Sequence, residues 1–166
     1  MAFKCLSENV FLCMKKLIRL LTAGALLLAL VWPRAAVRIG LSESSCYLPA
    51  ERFVLQWRHS VEHQLWREYY RSDGQSLHLE RTEMQTFGAG TPAGGETVAA
   101  EKGFVGFKSS VRLPELNWVV SRNMQGEIRT LQSAWSLYAQ VPDYSTIRIT
   151  PAYLAQMVVW LGACDD

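Results

Sequence analysis

The chain has 166 residues, 49% hydrophobic, 19% charged and 11% aromatic, with a formal net charge of +2. That is apolar material for one domain's core and too little charge for a disordered tail. The near-neutral balance excludes a strong nucleic-acid field, and neither a multi-span transporter nor a cysteine-rich miniprotein fits.

The charge is uneven. Residues 1–36 hold Lys4, Lys15, Lys16, Arg19 and Arg34 against Glu8 alone. Behind this cationic start stands an uncharged apolar run, Leu20–Trp32. At ~1.5 Å per residue it makes about 20 Å of helix, short of the ~30 Å hydrocarbon core. The pattern predicts a signal peptide, or a retained anchor entering the membrane through residues 17–32 with Arg19 snorkelling. Val31–Val37 offers no clean small-x-small cleavage site, which favours the anchor. Residues 1–36 are therefore read as the targeting segment and 37–166 as an exported domain. That domain is expected to be anchored to the inner membrane facing the periplasm, or periplasmic if cleaved. Met14 is an alternative start, because residues 1–13 add nothing that targeting needs.

Cys5 and Cys13 precede the apolar run and are expected to be reduced. Cys46 and Cys164 bracket the exported part, where an oxidising compartment permits a bridge. The alternative is two free thiols.

Residues 47–150 read as short strands between turns. Phe53–Val61 alternates, with Phe53, Leu55, Trp57, His59 and Val61 on one face. Trp66–Arg71 is a second strand, with Trp66, Glu68 and Tyr70 opposite Arg67, Tyr69 and Arg71. Ser72-Asp-Gly-Gln75 is a hairpin turn and Ser76–Met84 the returning strand. A glycine-bearing loop follows over residues 86–95. Later strands are predicted at Gly103–Ser109, Trp118–Ser121, Ile128–Leu131, Leu137–Val141 and Thr146–Thr150, with Pro114, Pro142 and Pro151 at strand ends. This spacing predicts an all-β antiparallel sandwich or barrel. Pro151–Gly162 predicts a short C-terminal helix, with Leu154, Met157, Val158 and Leu161 at helical spacing, although Val158-Val159 leaves a final strand open.

No constellation matches a known chemistry. His59 and Ser60, if on a strand, point to opposite faces, and no Gly-x-Ser-x-Gly elbow exists. His59, Glu62, His63, Glu68 and His78 include metal-ligand types, but with no His-x-x-x-His on a helix and no Cys-x-x-Cys. The Gly88-Ala-Gly90 bend could present backbone N–H groups to an anion, yet it lacks the third glycine of a nucleotide fingerprint. No cofactor, metal or catalytic set is expected. Most of the tryptophans and tyrosines belong to the core, with Trp66 and Tyr70 as candidates to line a groove.

His59-Ser-Val-Glu62, then Glu68-Tyr-Tyr70, then Phe87-Gly-Ala-Gly-Thr-Pro92 resemble, in order and spacing, the DUF1850 family of bacterial domains of unknown function. The resemblance spans about residues 46–150. It implies association with TRAP-type transporters of the TAXI class, and so contact with their membrane subunits or solute-binding protein. His59, Ser60, Glu62, Glu68, Phe87, Gly88, Gly90 and Pro92 match the family motif, and with Tyr70 they form the expected binding patch. The expected function is that of an accessory or binding module. The alternatives are a metal-dependent or acid–base enzyme using His59 and Glu68, and a purely structural envelope protein.

Overall fold

The computed structural model describes residues 2–87, 91 and 95–164. A helix, α1 (Ala2–Val31), leads into twelve strands and two short helices. The strands are β1 (Pro33–Gly40), β2 (Ser45–Leu48), β3 (Arg52–Arg58), β4 (Leu65–Ser72), β5 (Leu77–Met84) and β6 (Thr97–Val98). They continue with β7 (Val105–Lys108), β8 (Arg112–Leu113), β9 (Leu116–Val120), β10 (Glu127–Arg129), β11 (Ala134–Trp135) and β12 (Ser145–Ala155). The remaining helices are α2 (Leu137–Gln140) and α3 (Gln156–Leu161). Among the described residues no helix is long and apolar enough to cross a membrane.

The strands form two antiparallel sheets. One runs β2-β1-β12-β9; the other runs β11-β10-β3-β4-β5-β7-β6, with β8 beside β5. One core joins them. Val37, Ile39, Val120, Ile147 and Ile149 from the first sheet pack with Phe53, Leu55, Tyr70, Leu77, Ile128 and Trp135 of the second. The β3–β4–β5 meander follows the alternation in the sequence, because a pleated strand turns every second side chain to the dry side. Trp66 and Tyr70 are buried while Arg67, Tyr69 and Arg71 lie on the other face. The turn after β4 is closed by Asp73, whose carboxylate accepts the N–H groups of Gln75 and Ser76 at 2.9 and 2.7 Å. Gly74 supplies its positive φ of 87°. Asp73 also meets His78 at 2.6 Å, and this contact, with the two N–H donors, holds its carboxyl well below the usual carboxylate range.

Several expectations change. The domain's first strand begins at Pro33, inside the segment assigned to the leader, and pairs along its whole length with β12. Leu137–Val141 is not a strand: Leu137–Gln140 makes one helical turn that buries Leu137. Pro151 lies within β12, opposite Val37, rather than at a strand end. The partner on the other side of β12, β9, stops pairing at Ile149, so at Pro151 that side of the ladder needs no N–H. The C-terminal helix consequently starts only at Gln156, and its inward residue is Val159, while Met157, Val158 and Leu161 are exposed.

Strand β2 and the segment after α3 are tied together. Cys46 in β2 and Cys164 after α3 are disulfide-bonded across a separation of 118 residues. Tyr47 and Ala163 form a parallel bridge beside them.

Candidate functional site

The strand before the first motif, β3, ends at Arg58, not Val61 as the alternation suggested. His59–Gln64 forms the β3–β4 connection, in which the His63 N–H donates to the His59 carbonyl at 3.0 Å and the His59 N–H to the Gln64 carbonyl at 2.8 Å. Alternation fails here because His59 uses its ring as a local hydrogen-bonding group. With the ring proton on Nε2, Nδ1 accepts from the N–H groups of Val61 and Glu62 at 3.3 and 3.5 Å; with the proton on Nδ1, the same nitrogen donates to the Glu62 carboxylate instead. A polar side chain that engages neighbouring backbone in this way competes with the ladder and turns the chain. His63 takes the positive φ (56°) that completes the turn. Ser60 sits exposed at the tip.

His59 is anchored by its face as well. Its ring stacks on Trp66 with centroids 4.9 Å apart. Trp66 joins Met84 and Phe107 in a satellite apolar cluster, with Trp57 and Val105 against it. Phe87 meets Phe107 edge-on at 6.1 Å. A Cβ built on Gly95 would touch the same ring at 3.7 Å. Both ends of the glycine-bearing segment therefore come to Phe107, and the apolar cluster of Trp66, Met84 and Phe107 links the His59 loop to Phe87. Gly88, Gly90 and Pro92 lie outside the described residues.

Glu68 and Tyr70 occupy the same inner face, further along β4. The Tyr70 hydroxyl donates to Glu68 Oε2 at 2.7 Å. Burial pushes the Glu68 carboxyl above the usual carboxylate range, against the opposing pull of that hydrogen bond. Burial first, then the neighbouring Glu68, push the Tyr70 phenol upward too. Tyr70 stacks on Phe53 at 5.3 Å and belongs to the main core, so it supports the site from beneath rather than lining a surface. Among the described residues no three His, Cys, Asp or Glu side chains gather as a metal site.

The family model for "Domain of unknown function (DUF1850)" matches residues 53–137, from the second residue of β3 to the first of α2. The chain belongs to this family. The matched span contains all three sequence motifs, and within the DUF1850 domain the cluster of Trp66, Met84 and Phe107 brings the first of them to the start of the third. No curated protein and no solved structure matches the chain.

On the opposite face of the same strands the DUF1850 domain carries a network that sequence reading missed. Arg67 Nε donates to Gln56 Oε1 at 2.9 Å, as does Arg129 NH1, and Gln56 Nε2 donates to Glu127 at 3.3 Å. Arg67 also pairs with Glu101 and lies over the Phe104 ring at 4.2 Å. Beside it Glu83, 1% exposed, accepts from the Tyr69 hydroxyl at 2.8 Å and meets Arg81 at 3.2 Å. Alternation set Gln56, Arg67 and Tyr69 on the face opposite the apolar one. The Glu101–Phe104 segment folds over Arg67, and nothing local in the sequence signals that cover.

A groove of about 780 Å³ lies on the solvent face of the four-stranded sheet, lined in part by Arg38, Arg148, Glu115 and Thr150. None of its residues belongs to a family motif. Its two arginines are already met by Ser45 and Glu115.

Proposed function

We infer that this protein is an exported accessory module, held at a membrane by α1, that contacts a protein partner through the His59–Phe87 end of its eight-stranded sheet. One observation carries the reading: the cluster of Trp66, Met84 and Phe107, met by His59 and Phe87, joins two motif-bearing loops at one end, where Val61 and Phe87 remain 68% and 63% exposed. Large apolar side chains presented beside a polar loop suit a protein contact. The Cys46–Cys164 bridge suits an oxidising compartment, and the basic cluster before Leu20–Trp32 suits an inner-membrane segment with the domain on the periplasmic side. In this reading the two sheets form a sandwich that serves as a rigid platform. The partner implied by the family resemblance is a membrane subunit of a TAXI-class TRAP transporter, or its solute-binding protein, and the process served is solute uptake.

The acid–base alternative draws on the raised proton affinity of Glu68. It requires a substrate touched by both Glu68 and His59, whereas His59 is engaged by Glu62 and Trp66.

The test is co-purification from native membranes of the wild-type chain and of a Val61→Glu, Phe87→Glu double variant. Both positions are exposed, so the fold survives, which circular dichroism checks. The expected result is a transporter subunit retained by the wild type and lost by the variant. Equal retention by both would remove the site from the account. Retention by neither would favour a structural envelope role.

A further inference from the structure

We propose that α3 is a second membrane contact, laying Met157, Val158, Trp160 and Leu161 on the bilayer surface beside the point where α1 emerges. This deepens the reading above and rests on α1 being the membrane element. The helix is short, yet its orientation is fixed from three directions. Val159 is buried against the domain, Cys164 is bridged to Cys46, and the Gln156 N–H donates to the Trp32 carbonyl at 3.3 Å. The last contact ties the start of α3 to the residue that ends the apolar run of α1. What the fold leaves outward is apolar: Trp160 is 58% and Leu161 83% exposed, with Met157 and Val158 beside them. Tyr153 and Trp32 are exposed in the same neighbourhood.

The occupant is argued from charge and continuity. No charged residue lies between Arg148 and Asp165. This surface has Arg34 and Glu51 at one edge, in a groove shared with Tyr153, Gln156 and Val159, and no charge among its own apolar side chains. It is continuous, through Trp32, with the outward leucines of α1, Leu26, Leu27 and Leu28. Indole and phenol rings with one apolar and one polar end settle at the headgroup boundary. An apolar run of about 20 Å also gains from a second apolar foothold, because the uncharged stretch Leu20–Trp32 alone is shorter than the hydrocarbon core.

The full chain is reconstituted into phosphatidylcholine–phosphatidylglycerol vesicles with and without brominated acyl chains, and tryptophan quenching is compared for wild type, Trp32→Phe and Trp160→Phe. Both positions are exposed, and near-ultraviolet circular dichroism verifies the fold. Two indoles at the lipid boundary share the signal, so each single variant is expected to lose roughly half of the wild-type quenching. Quenching lost in Trp32→Phe but fully retained in Trp160→Phe would overturn the α3 contact, leave the α1 anchor standing, and assign the α3 face to a protein. A chain that neither floats with the vesicles nor is quenched would overturn the anchor reading itself, and this inference with it.

Discussion

The imidazole of His59 lies over the indole of Trp66 with the two planes 26° from parallel. That contact joins a loop to a strand, and with its proton on Nε2 the same imidazole accepts the loop's own N–H groups. His59→Ala removes both. The expected loss is about 1–2 kcal/mol, from one aromatic pair and one local acceptor. Urea unfolding measures it, and amide exchange at Val61 and Glu62 should accelerate well beyond that of the β4 amides. Unchanged exchange there would mean that the loop holds itself without the ring.

Glu68 gives a pH prediction with a definite sign. Its carboxyl binds a proton more tightly in the folded domain than in the unfolded chain, because burial disfavours the charge. The stability it contributes is complete below the ordinary carboxylate range and is lost as pH rises through the raised folded-state value. Glu68→Gln mimics the protonated form. It should match the wild type in acid and become the more stable of the two toward neutral pH, as followed by thermal unfolding across pH. A gap independent of pH would contradict the burial argument.

Glu83 is expected to matter more for stability than any other surface-side carboxylate of β5. Glu83→Ala leaves Arg67 and the Tyr69 hydroxyl short of a partner in a covered site. Breaking a fully buried pair costs about 3–5 kcal/mol; Arg67 keeps Glu101 and Gln56, so roughly 2–3 kcal/mol is expected here. Chemical denaturation checks this, and a loss near zero would show that the cover over the network opens freely.

Reducing the Cys46–Cys164 bridge frees a 118-residue loop in the unfolded chain. The chain-entropy argument gives about 4–5 kcal/mol for a loop of that length. A Cys46→Ser, Cys164→Ser variant should lose an amount of that order in urea unfolding, with α3 and the end of β12 exchanging fastest. A loss well under 1 kcal/mol would show that β1–β12 pairing holds the terminus by itself.

The meander was legible because β3, β4 and β5 are long, the sequence of β3 and β4 alternates, and an Asp-Gly turn joins β4 to β5. Three things were not legible, each for a separate physical reason. β1 follows the apolar run without a break, and its two consecutive buried residues, Ala36 and Val37, blur the period of two. His59 continued the strand pattern by hydropathy, but its ring nitrogen captured the backbone, and no glycine marked the turn. The C-terminal segment has helical spacing from Pro151, yet pairing with β1 holds it extended through Ala155. For the site, sequence order named His59, Glu62 and Phe87 but not Phe107. The residue that joins the two loops lies on a distant strand, and only pairing across Thr82 places it there.

The central claim is that the His59–Phe87 end of the sheet meets a protein partner. Site-specific photo-crosslinking in native membranes tests it most directly, with the probe at Val61, at Phe87, or at Leu131, which is exposed but carries no motif. The account predicts one discrete adduct, of the same partner, from positions 61 and 87 and none from 131. Adducts equally abundant from all three positions, or from 131 alone, would contradict it.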